Sequence, residues 1–195
     1  MSPASTLLGV LLLVLANPAF AHTGVGQVGG LTAGFSHPIH GLDHILAMVA
    51  VGVLAAQQGG RSLWTIPGTF VAMMIFGGIL GMTAASVPFV ELGIAGSVVI
   101  LGVVIALGGQ MPMVAAMILV GSMAIFHGHA HGTEMPVNAV GIAYGLGFAG
   151  VTAILHAAGI ALTVGIKKTL ETIAPMAIRI GGGAIAVVGA TLFAT

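Results

Sequence analysis

The chain has 195 residues, with charged residues at 4%, apolar residues at 58%, a formal net charge of zero and no cysteine. Ordinary globular domains carry roughly 25% charged residues, so this composition excludes a soluble domain, and zero net charge leaves no basic face for nucleic acid. Without cysteine there are no disulfides, Cys-based zinc sites or thiolate copper sites, and no Walker-type loop is present for a nucleotide.

The first 21 residues read as a secretory signal, removed to leave a mature domain over 22–195. Residues 7–16 form an apolar stretch too short to span a bilayer, followed by Asn17-Pro18 and the small-x-small site Ala19-Phe20-Ala21. No Lys or Arg precedes the stretch, which keeps an uncleaved membrane anchor as the alternative. Cleavage would expose His22, whose imidazole and free amine make a chelating pair. Six apolar segments follow, over 38–58, 63–85, 89–107, 111–126, 138–166 and 173–193, each near the ~20 residues a bilayer requires. Open strands cannot satisfy their backbones in lipid, so every segment is expected to be helical. The short connections predict an all-α membrane protein, a compact six-helix transmembrane bundle in one domain. Gly77 with Gly81, and Gly141 with Gly145, are spaced for close helix crossings.

Counting six spans from an outside start puts the 57–62 and 167–172 connections in the cytoplasm, with both termini outside. Arg61, Lys167 and Lys168 lie in those connections and Arg179 just inside the next span, as the positive-inside rule requires. The same count places two histidine clusters on the outer side.

The first cluster is His37-Pro38-Ile39-His40-Gly41-Leu42-Asp43-His44. Pro38 suits the first turn of a helix. A helix continuing from it at about 100° per residue sets His37, His40, Asp43 and His44 within ~120° of arc, with Met48 one turn below His44. Asp43 serves either as a direct ligand or as an orienting partner for an imidazole. Mutual pairing that locks helices, or a proton relay, are the competing readings.

The second cluster places His127, His129 and His131 in alternation with Gly and Ala, and Glu134 before Pro136. The alternation and the two glycines predict a turn or short extended loop folding over the first cluster, with a solvated loop as the alternative. A short His-rich tract is itself a metal-binding signal, and a cation near hydrocarbon needs the negative charge of Asp43 and Glu134. Imidazole and carboxylate together suit nickel, cobalt or zinc. His156, deeper in the fifth segment, is an exit ligand, a proton acceptor or a hydrogen-bonded helix contact. Glu91 opens the third segment, where it either attracts cations or serves as a solvated helix-start carboxylate.

The stretches 37–48 and 126–136 resemble the two signatures of the HupE/UreJ proteins, hydrogenase- and urease-associated nickel permeases, and the signal, six spans and both motifs occur in that order. The resemblance implies uptake of nickel, or cobalt in some members, with no prosthetic group and no enzymatic activity. The ion would pass to cytoplasmic metallochaperones for metalloenzyme assembly. His37, Asp43, His44 and Glu134 would be the critical residues.

Two other classes compete with transport. An intramembrane zinc hydrolase would pair His40 with His44 at i, i+4 and use Asp43 or Glu134 to activate water. A membrane metal sensor or donor would bind without flux.

Overall fold

Segments with no water to bond must close their backbone hydrogen bonds internally. The computed structural model, which describes residues 30–83, 86–135 and 140–194, is accordingly helical with no strand among those residues. The predicted signal at 1–21 and His22 lie outside the described residues. The elements are α1 (Gly30–Ser36), a 3-10 turn (His37–His40), α2 (Leu42–Gln58), α3 (Ser62–Met82), α4 (Val90–Leu107), α5 (Met113–Thr133), α6 (Gly141–Thr169), α7 (Ala174–Thr191) and a closing 3-10 turn (Leu192–Ala194). Helices α3 to α7 are each long and apolar enough to cross a membrane; a sixth crossing exists if α1, its turn and α2 count as one span bent by 87°. The chain is a multi-pass membrane protein.

That bend corrects the first predicted segment. Gly41 is extended (φ −102, ψ 117), and α2 begins only beyond it, with the Ile45 N–H bonded to the Gly41 carbonyl. His37 and His40 therefore do not share a helix face with Asp43 and His44. The cause is docking: α1 lies against α6, where a Cβ on Gly34 would strike the Tyr144 carbonyl and one on Gly147 the Leu31 carbonyl. An α1 held in this way cannot also be coaxial with α2.

The second correction concerns the expected loop at 127–134. Helix α5 runs unbroken to Thr133, carrying all three histidines in regular helical positions. Each glycine inside a helix costs ~1 kcal/mol relative to alanine. Here the glycines let two backbones touch: a Cβ on Gly128 would collide with the Met74 carbonyl and one on Gly132 with the Gly78 carbonyl. Gly77 and Gly81 meet Ile125 and His129 in the same way from α3, so that predicted crossing is present. Gly145 faces open space and Gly141 meets only methionine sulfurs, so the other predicted pair makes no backbone crossing.

Helix α2 is the hub, packed on α3, α4 and α6, while α3 lies along α5 and α4 along α7. Its Met48, Val51 and Leu54 join Ile66, Phe70, Leu101, Ile105 and Val120 in the core. At the end of α2 remote from His44, the Lys167 ammonium donates to the Ala56 carbonyl (2.7 Å), and Arg179 Nε–H donates to the Ala106 carbonyl at the end of α4 (2.8 Å). Both cations sit where helix C-termini concentrate negative partial charge. Lys167 and Arg179 thus lie toward the end of the bundle opposite the two histidine clusters.

Candidate metal centre

The bend at Gly41 and the continuity of α5 bring the two clusters together. His37, in the 3-10 turn, reaches Glu134, just past the end of α5, with 2.9 Å between Nε2 and Oε2. Glutamate can only accept, so the N–H is on the imidazole. One ligand atom from each of His37, His131 and Glu134 lies within 4.8 Å of the others. This trio joins residues up to 97 positions apart in sequence.

His131 is the junction. Its ring meets His37 edge-on at 4.8 Å between centroids, His44 at 4.5 Å, and the Phe148 ring at 4.0 Å. His44 in turn meets His127 at 4.9 Å, nearly perpendicular. A file of four imidazoles, His37, His131, His44 and His127, therefore descends from the half-buried mouth to full burial. The helical spacing of α5 makes this possible, since His127 and His131 at i, i+4 share one face.

Hydrogen bonds assign the tautomers of the two deeper rings. Asp43 Oδ1 accepts from His44 Nδ1–H at 2.8 Å and also from the His44 backbone N–H at 2.8 Å. His44 Nε2 then carries a lone pair, and that buried atom has no hydrogen-bond partner among the described residues. The Ser97 hydroxyl donates to the Ile94 carbonyl (2.6 Å), so its oxygen accepts from His127 Nε2–H (2.9 Å). His127 Nδ1 is therefore the basic nitrogen, again without a partner among the described residues. His44 Nε2 and His127 Nδ1 thus stand without partners among the described residues on neighbouring rings, each ring held through its other nitrogen, the arrangement that orients histidine toward metal. Asp43 acts here through His44 rather than at the mouth.

The remaining predicted residues fall elsewhere. His40 is exposed, its Nδ1–H donating to the Ser36 carbonyl at 2.7 Å, so the His40–His44 pair that a zinc hydrolase would need is split by Gly41. His129 is buried on α5 but about 200° around the helix from both His127 and His131. Glu91 is exposed in the first turn of α4. His156 is buried on α6, and neither ring nitrogen has a hydrogen-bond partner among the described residues, contrary to a hydrogen-bonded helix contact.

The family model described as HupE / UreJ protein matches residues 10–192. The chain belongs to the HupE/UreJ family. It is 44% identical over 183 residues to Protein HupE of Rhizobium leguminosarum bv. viciae, covering 93% of this chain and 94% of the relative. No solved structure matches it.

Several groups that complete this HupE/UreJ centre carry no mark in the sequence. Phe70 is fully buried and touches His127 at 5.7 Å and His156 at 5.2 Å between centroids. Phe148 walls His131, and the Tyr144 ring lies 6.4 Å from His37. Among apolar neighbours a phenylalanine signals only a helix. Ser97 had a usable signal, being a hydroxyl inside an uncharged span, where polar groups need a partner.

Proposed function

We propose that this HupE/UreJ protein is an uptake permease for a divalent transition metal, nickel or cobalt. The observation that carries it is the convergence of His37, His131 and Glu134 within 4.8 Å at the head of a file of imidazoles. A storage or structural site would be closed by its ligands. This one continues inward through lone pairs on His44 and His127. Borderline nitrogen and carboxylate donors favour nickel and cobalt over magnesium or calcium.

Capture begins as an incoming ion exchanges water for His131 and the His37–Glu134 bond opens; with its hydrogen moved through solvent from Nε2 to Nδ1, His37 presents an Nε2 lone pair beside the Glu134 carboxylate. Glu134 and Asp43 together supply two negative charges, which offset the charge of a divalent ion as it loses water. Nitrogen sites at 4.5–4.9 Å between ring centroids then allow the ion to pass from one imidazole to the next without full dehydration. With both termini outside an inner membrane at −100 mV, inward movement of two charges is favoured by about 4.6 kcal/mol, from ~2.3 per charge. That is over a thousandfold accumulation, so facilitated diffusion with cytoplasmic trapping by metallochaperones suffices.

Radionickel influx into sealed vesicles with an imposed inside-negative potential tests the reading. Nickel influx should be competed by cobalt and should fall when the potential is collapsed. Nickel binding by the purified protein without any influx would replace this reading with a sensor or donor.

A further inference from the structure

Below the imidazole file, helices α3 and α6 face each other across two antiparallel rungs. Met74 meets Thr152, whose hydroxyl donates to the thioether sulfur at 3.6 Å. One turn further from the mouth, Phe70 meets His156 edge-on at 5.2 Å. All four side chains are buried, with at most 2% of their surface exposed. His156 holds two nitrogens there with no hydrogen-bond partner among the described residues. Leaving both polar atoms of a buried ring unsatisfied costs about 1–3 kcal/mol each, which selection for packing alone would remove by substituting an apolar side chain.

A cavity of about 660 Å³ has both His131, at the mouth, and Met74, on the upper of the two rungs, in its wall. Gly78, Gly128 and Gly132 line the same cavity, together with Ile75, Met82 and Phe148.

We propose that His156, Met74 and Thr152 form a second, inner metal station. It offers nitrogen, thioether sulfur and hydroxyl oxygen, with no carboxylate. Such a set accepts nickel, cobalt or another borderline cation and is poor for magnesium, calcium or manganese, which need hard oxygen donors. The outer centre, with the Glu134 carboxylate, captures divalent ions more broadly, and the inner station selects among them. Thr152 orients the Met74 sulfur, and Phe70, in contact with both His127 and His156, separates the two stations. This inference rests on the uptake reading.

The test uses the full chain, purified, and the fact that it has no cysteine. Met74→Cys introduces a single thiol, and cobalt loading should then give a near-ultraviolet thiolate-to-cobalt charge-transfer band. Adding His156→Gln should remove the band while cobalt binding at the outer centre persists. In vesicles, Met74→Leu should lower nickel influx about tenfold, the scale of losing one donor or its support. Met74→Cys should retain more influx than Met74→Leu, although leucine matches the volume of methionine better. A structural role for Met74 reverses that order and overturns the station, as does a missing band with outer-centre binding intact; the uptake reading survives either result. Wild-type protein that neither binds nor moves nickel or cobalt overturns both.

Discussion

Replacing Asp43 by asparagine separates the carboxylate's charge from its shape. In the wild type one oxygen, Oδ1, receives both the His44 backbone N–H and His44 Nδ1–H at 2.8 Å. Asparagine can still accept the backbone hydrogen. The ring bond changes from charge-assisted to neutral, from about 1.5–3 to about 0.5–1.5 kcal/mol. The amide can also rotate its NH2 toward Nδ1, which moves the ring hydrogen to Nε2 and removes the lone pair that faces the path. Loss of an orienting partner behind a metal-binding histidine typically costs about 10–100-fold, or ~1.4–2.7 kcal/mol. Asp43→Asn should therefore lower radionickel influx by that factor at matched membrane abundance, with thermal unfolding nearly unchanged because the side chain keeps its volume. Influx within about twofold of wild type, far less than the loss expected for such a partner, would refute the role assigned to the Asp43–His44 pair.

Other perturbations probe the rest of the centre. Glu134→Gln removes both a ligand oxygen and a charge from the trio, and equilibrium dialysis should show loss of the outer nickel, whereas His40→Ala, at an exposed position bonded to Ser36, should leave binding and influx near wild type. Ser97→Ala frees the His127 tautomer and should slow influx several-fold, the effect of losing one hydrogen bond of about 0.5–1.5 kcal/mol, without changing outer-centre binding. Influx at clamped potential should fall as the outer solution is acidified, since only neutral imidazole binds metal; a rise on mild acidification would indicate proton coupling. Gly128→Ala should sharply lower the midpoint of thermal unfolding, because its methyl would enter the backbone contact with Met74.

Much of this protein is legible from one dimension. Ionisable groups are so costly beside hydrocarbon that their few positions identify a site, and His37, Asp43, His44, His131 and Glu134 all stood out on that ground. Apolar segments long enough to cross a bilayer admit only helix, so the helical class followed from composition and length. The pairing of donors did not. Alternating His and Gly suggests a loop by propensity, yet 127–133 is helix because Gly128 and Gly132 let α5 rest on the backbone of α3, and that contact involves residues some fifty positions away. A continuous 100° periodicity would align His40 with His44, yet docking of α1 on α6 bends the chain at Gly41 and turns His40 out while carrying His37 to Glu134. Periodicity describes a helix only while nothing interrupts it. Where it stops, and which histidine thereby meets which acid, is decided by close packing between helices distant in sequence.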